Sequence, residues 1–168
     1  MASLYDFTVA VYIHGLEQLQ HVLKKGEEWS KENGKPEDFV VGGRIIEDMH
    51  AMPFQVQICC NTAKNTCTRV AKLDLPSVED NEKTLPELYA RIEKTIQMLK
   101  GIDRSAFDGT ETREVNFKAG KYDLKMEGIS YAQRFALPNF FFHLTTAYNI
   151  LRKAGVPLGK GDFLGQIA

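Results

Sequence analysis

The 168-residue chain is predicted to be all-α, a four-helix bundle with at least one crossover connection and a small β-hairpin before the last helix. Three observations predict this. Four stretches carry apolar residues at the helical period of about 3.6. The segments between them are too long for tight helix–helix turns. Only one short stretch, residues 115–126, alternates with period two.

The first helix opens at Ser3, a good N-cap, with Asp6 three residues on and able to reach back as a capping-box glutamate does. Leu4, Phe7, Val11, Leu19, Val22 and Trp29 form its apolar stripe, which Val9, Ile13, Leu16 and Leu23 widen. Only a narrow polar band remains, holding Asp6, Glu17, His21, Lys24 and Glu28. Such a helix is central, or it meets a second subunit. Glu32-Asn33-Gly34-Lys35-Pro36 stops it. Residues 37–52 read as a long, partly ordered connection, of the kind that often lines a site.

The second helix starts near Pro53, and its apolar face holds Val56, Cys59, Cys60, Ala63, Cys67 and Val70. Two adjacent cysteines and a third seven residues on lack metal or redox spacing and read as small hydrophobes. The third helix begins at the capping box Thr84-Leu85-Pro86-Glu87, continues through Leu88, Ile92, Ile96 and Leu99, and ends at Gly101. Val115 and Phe117, then Ala119-Gly120, then Tyr122, Leu124 and Met126 read as a two-stranded hairpin. The last helix is expected to open at Ser130-Tyr131-Ala132-Gln133, to kink or restart at Pro138, and to end at Lys153-Ala154-Gly155. The tail from Val156 to Gly165 reads as irregular but apolar enough to dock on the bundle.

Composition excludes several classes. Hydrophobic residues at 43% and charged residues at 26% suit a soluble globular core, here a single domain over residues 1–168. Lys+Arg at 21 against Asp+Glu at 22 leaves no footprint for nucleic acid or an anionic membrane. No apolar run approaches the roughly 20 residues of a membrane span. The N-terminus has no basic region followed by an apolar stretch, so no signal peptide is expected. The 3 cysteines, an odd number, fit a reducing cytoplasm rather than a disulfide framework.

There is no P-loop, dinucleotide fingerprint, nucleophile elbow, His-Glu-x-x-His or paired Cys-x-x-Cys. Histidines and nearby amides carry what chemistry there is. His143 and Asn139, one turn apart, project to the same edge of the apolar arc, as groups for a metal or a polar substrate do. The alternative is a buried histidine bonded to a neighbour. Gln57 and Asn61 sit one turn apart at the edge of the second helix's stripe, as site groups or as solvated amides. His14 and His21 lie on the polar edge of the first helix and read as exposed. Glu47-Asp48-x-His50 holds cation-ligand residue types, or is ordinary loop charge. Phe140-Phe141-Phe142 reads as core or dimer interface, since no basic groove accompanies it for base stacking.

Several segments together resemble the "domain of unknown function 1993" family. They are Ser3-Leu4-Tyr5-Asp6 with His14-Gly15-Leu16-Glu17, Asp48-Met49 followed by Pro53-Phe54-Gln55-Val56-Gln57, the stretch from Leu137-Pro138-Asn139-Phe140 through His143 to Tyr148, and Gly159-Lys160-Gly161-Asp162-Phe163-Leu164-Gly165. The resemblance runs end to end and implies a place among the DinB/YfiT-like proteins, with a DinB-like bundle, commonly as a homodimer. Several such proteins bind a divalent metal through three histidines, one on the second helix and a His-x-x-x-His pair on the last. Relatives include thiol-dependent transferases and maleylpyruvate isomerase. By position, His143 matches the second histidine of the pair, Asn139 the first, and Gln57 the second-helix ligand. Carboxamides are weaker ligands than imidazole for zinc or nickel, and no carboxylate compensates. The expectation is therefore no cofactor, with a weakly bound divalent ion such as zinc or nickel as the alternative.

The function expected is a redox-cofactor-free isomerisation, cyclisation or proton-transfer rearrangement of a small organic substrate in the bundle cavity. His143 would be the general acid or base, with Gln57, Asn139 and Asn61 binding substrate and Tyr5, Phe54, Phe140 and Tyr148 shaping the pocket. One alternative is a metal-assisted thiol transferase or isomerase, as in relatives that keep all three histidines. The other is a non-catalytic dimeric binding or scaffold protein. The expected partners are a small molecule and a second copy of the chain, not nucleic acid or a membrane. All of this requires His143, Asn139 and Gln57 to converge on one interior hollow.

Overall fold

The computed structural model describes residues 2–165. Its helices are α1 (Leu4–Phe7), α2 (Val9–Glu32), α3 (Met52–Val70), α4 (Leu85–Lys100), α5 (Gly128–Tyr131), α6 (Leu137–Lys153) and α7 (Lys160–Leu164), with strands β1 (Glu114–Ala119) and β2 (Tyr122–Glu127) between α4 and α5. Around the bundle, α2 packs on α4, α4 on α3, α3 on α6, and α6 back on α2.

Contacts fix the helix directions. Gln55 of α3 meets His143 while Arg69 meets Tyr131, so α3 and α6 are antiparallel. Glu27 meets Tyr89 while Glu17 meets Lys100, so α2 and α4 are antiparallel. Gly15 of α2 meets Phe140 and Gly26 meets Leu151, so α2 and α6 are parallel, and α3 and α4 therefore run the same way. Residues 71–84 return along the bundle between them, and this return is the predicted crossover.

The expected first helix is interrupted at Thr8, whose hydroxyl donates to the Leu4 carbonyl one turn back. That back-bond separates α1 from α2. Asp6 accepts from the Ser3 backbone N–H at 2.8 Å, while the Ser3 hydroxyl is buried without a partner, so half of the expected capping box forms. The Asp6 carboxyl is lowered to about 2, first by its hydrogen bond from Arg104 and then by the Ser3 N–H.

The capping box at Thr84 does form. Glu87 N–H donates to Thr84 Oγ1 at 3.4 Å, and the Thr84 N–H donates to Glu87 Oε2 at 2.9 Å. Thr84→Ala is expected to cost about 1 kcal/mol in a urea titration. A loss below 0.3 kcal/mol, as an order of magnitude, would show that the crossover alone fixes the start of α4.

The hairpin pairs Val115 with Met126 and Phe117 with Leu124, as the alternation predicts, and Gly120 turns it at φ +57°. Val115 and Phe117 are buried against the bundle. Two expectations are corrected. The last helical run opens at Gly128 behind Glu127, with no capping box at Ser130. It then passes Pro138 through a π turn at Ala132–Ala136, because proline lacks the N–H that closes a regular α turn. The tail is not all irregular, since α7 forms and lies along α2. His14 Nε2 donates to the Leu164 carbonyl at 2.8 Å, and Asp162 is held by His21 at 3.0 Å and Lys25 at 2.8 Å. Among the described residues, no helix is long and apolar enough to cross a membrane.

Candidate functional site

Helix α3 carries two polar edges, and they face different neighbours. The first faces α6 and α2. Gln55, Cys59, Thr62, Thr66 and Arg69 recur at spacings of three and four, which sets them on one side of the helix. Each meets a polar group across the interface. Gln55 meets His143. Cys59 donates to the Phe140 carbonyl at 3.6 Å, and Thr62 accepts from Asn139 Nδ2 at 2.8 Å. Thr66 bonds the Tyr12 hydroxyl at 3.1 Å, and Arg69 donates to the Tyr131 hydroxyl at 3.1 Å.

At the α3 N-terminal end of this seam lies the most chemically open group. Nδ1 of His143 is 2.8 Å from Gln55 Oε1, and Gln55 Nε2 donates to the His50 carbonyl at 3.0 Å. Among the described residues, Nε2 of His143 has no hydrogen-bond partner and is not sealed from solvent. The half-buried ring is met edge-on by Phe54 at 5.7 Å and by Phe142 at 5.1 Å, and the His50 ring stacks on Phe54 at 4.0 Å. Burial holds the His143 imidazolium below the ordinary histidine range. The arrangement presents an imidazole with one nitrogen tethered and the other unpaired, between two aromatic rings, and none of the cavities described here is lined by it.

The second edge of α3 faces α4 and the crossover. Gln57 Nε2 donates to Glu82 Oε2 at 3.0 Å, and Asn61 Nδ2 donates to Asp80 Oδ2 at 2.8 Å. Buried Arg91 ties them together, donating to Glu82, Asp80, Asn61 and the Glu79 carbonyl at 2.8–2.9 Å. Partial burial pushes the Glu82 carboxyl up, but its backbone hydrogen bond and those from Gln57 and Arg91 outweigh this and hold it below the usual range. A cavity of about 50 Å³ lies beside the cluster, lined in part by Cys60, Pro76, Val78 and Met98. Burial pushes the Cys60 thiol up to about 11.

The expected convergence of three groups is not what the chain builds. Asn139 and His143 do share the α3 side of α6, bonded to Thr62 and Gln55. Gln57 does not join them. It stands about 200° round α3 from Gln55 and is spent on Glu82. Asn61 goes with it. Of the rings expected around His143, only Phe54 is there. Tyr5 packs on Phe107 at 5.9 Å at the hairpin end, and Tyr148 packs on Phe163 at 5.7 Å, about 140° round α6 from His143. Phe140 is wholly buried core.

Residue reading missed Gln55, Arg91, Asp80 and Glu82. Gln55 was readable from its register with Thr62, and Arg91 from its place inside the stripe of Leu88, Ile92, Ile96 and Leu99. The residues do not fit the three-imidazole metal site of histidine-complete relatives, because one imidazole is present, Asn139 is engaged and Gln57 faces away. Glu47, Asp48 and His50 are exposed on their connection. Among the described residues, no group of three or more His, Cys, Asp or Glu is placed to hold a metal ion.

Compared with known protein families, residues 4–164 match the Domain of unknown function (DUF1993) family, and the chain belongs to it. Among solved structures it is similar to the crystal structure of a DinB family member protein from Shewanella denitrificans. The two are 33% identical with a TM-score of 0.88, over 98% of this chain and 93% of that one. The fold is therefore DinB-like. No curated protein matches the chain.

Proposed function

We propose that this DUF1993 protein acts on a small organic molecule by proton transfer, an isomerisation, cyclisation or rearrangement without a redox cofactor, with His143 as the general acid or base. The observation that supports this most is the half-buried ring whose Nδ1 is tethered and whose Nε2 stays open. A base must keep a lone pair and must not be spent on the fold. Depression of its pKa by burial keeps the ring neutral to a lower pH than an ordinary histidine near 6.5. The substrate is read to lie against Phe54 and Phe142, with Nε2 at the proton that moves. Asn139, one turn away, is the nearer of the two expected amides. A soluble cytoplasmic homodimer is part of the same reading.

The test uses the small-molecule fraction of a cell extract, incubated with the protein and followed by mass spectrometry. The wild type is expected to convert at least one compound to a product of the same elemental composition, or of that composition less water. His143→Gln is expected to slow this by about 100-fold or more. With His143 as the base the neutral ring is the active form, so conversion should persist to a lower pH than an unperturbed histidine would allow. Equal conversion by the variant, or none by the wild type, would overturn the reading and favour a binding protein.

A further inference from the structure

We propose that Gln55 is the positioning residue of this site, a lock anchored on the His50 carbonyl that forces His143 to carry its proton on Nδ1. The inference rests on the acid–base reading only for its catalytic consequence, because the tautomer itself is measurable without a substrate.

The geometry is a chain of two hydrogen bonds. The His50 carbonyl can only accept, so the Gln55 group 3.0 Å from it must be the NH₂. That leaves the Gln55 oxygen as the atom 2.8 Å from Nδ1 of His143. Two acceptors cannot face each other, so Nδ1 carries the hydrogen. In the neutral ring Nε2 is then the lone-pair nitrogen, and it is the one without a partner. A neutral histidine side chain left to itself favours the opposite form, with the proton on Nε2. Such a ring would offer a donor where a base is needed.

The surroundings offer no competing lock. The aromatic rings that meet it are Phe54 and Phe142, and the His50 ring lies beyond Phe54. Among the described residues no carboxylate pairs with His143. Gln55 is itself buried, so its amide cannot turn over without breaking both bonds at once. The anchoring carbonyl belongs to residue 50, in a connection whose residues Arg44 to Asp48 are exposed. It is held elsewhere by the Met52 N–H to the Gly43 carbonyl at 3.1 Å and by Lys153 of α6, which donates to the Arg44 and Ile45 carbonyls.

The test is nitrogen-15 NMR of the ring nitrogens in uniformly labelled protein, at a pH where His143 is neutral. The wild type is expected to show a protonated Nδ1 and an unprotonated Nε2. Gln55→Leu is expected to shift the majority to the Nε2–H form. A wild-type ring protonated on Nε2 overturns the inference, and this arm does not depend on any variant folding. So does a Gln55→Leu variant, folded by its amide spectrum, with an unchanged ring. A locked tautomer together with full conversion by His143→Gln would leave the lock standing and sink the proposed reaction. Lost conversion in His143→Gln with an unlocked ring would do the reverse.

Discussion

Replacing Arg91 by methionine is expected to cost about 3 kcal/mol of stability, because it removes one partner from a buried charge cluster. The guanidinium side chain is 3% exposed and donates to two carboxylates, one amide and one main-chain carbonyl. Those acceptors include three consecutive anchor points of the crossover, Glu79, Asp80 and Glu82. The crossover has no helix or strand of its own to hold it, so side-chain bonds from α3 and α4 must do so. For a domain of this size the loss corresponds to a fall in Tm of roughly 6–12 °C. Part of the cost is the stranded Glu82 carboxylate. The double variant Arg91→Met with Glu82→Leu is therefore expected to be less unstable than the two single losses combined, since apolar groups replace a buried ion pair at little cost. A single-variant loss below about 1 kcal/mol would show that apolar contacts alone seat the crossover.

The same cluster gives stability a pH dependence. Glu82 has its carboxyl lowered in the folded chain, so its contribution is present above the unfolded glutamate value, near 4.3, and is lost as pH falls through the lower folded value. Glu82 should thus contribute to the acid limb of the stability curve. In Arg91→Met that part of the acid limb should flatten.

Much of the architecture was legible because helices announce themselves by period and by their ends. The box at Thr84, the stripe of α4 and the alternation of Val115 and Phe117 each rest on neighbours in sequence. The site was legible only in part, because a helix has several faces and spacing does not say which neighbour each face meets. His143 and Asn139 share a face by arithmetic, and they do so in the structure. Gln57 and Gln55 are both amides at an apolar margin, and only the packing of α3 between α4 and α6 decides which one reaches His143. Arg91 was passed over for the reverse reason. An ionisable residue inside an apolar stripe requires a partner, and its partners lie on a connection with no periodic signal. The π turn before Pro138 could be expected as a break but not as an extra residue within a continuous run.

Helices α2 and α6 pack closely at Gly15 and Phe140, and the second large effect is expected there. Phe140 is wholly buried, with its ring 4.9 Å from that of Tyr12. It sits over Gly15, where an added Cβ would stand 2.5 Å from Phe140 Cε1. Phe140→Ala is expected to cost about 3–5 kcal/mol, the lost burial of the ring plus the cavity that remains after the helices relax only in part. Gly15→Ala overfills the same space and is expected to cost about 1–3 kcal/mol. The pair Gly15→Ala with Phe140→Leu trades volume between the two helices, so its loss should fall short of the sum by at least about 0.5 kcal/mol. Strict additivity would mean that the two side chains do not share the space. Phe140 also lies between the two site residues of α6, and its carbonyl accepts from Cys59 of α3. A ring too small to hold α6 against α2 lets that helix shift along α3. The ring nitrogens of His143 should then lose their single-tautomer signature in Phe140→Ala and keep it in the volume-conserving pair, which ties the core of the bundle to the chemistry at its edge.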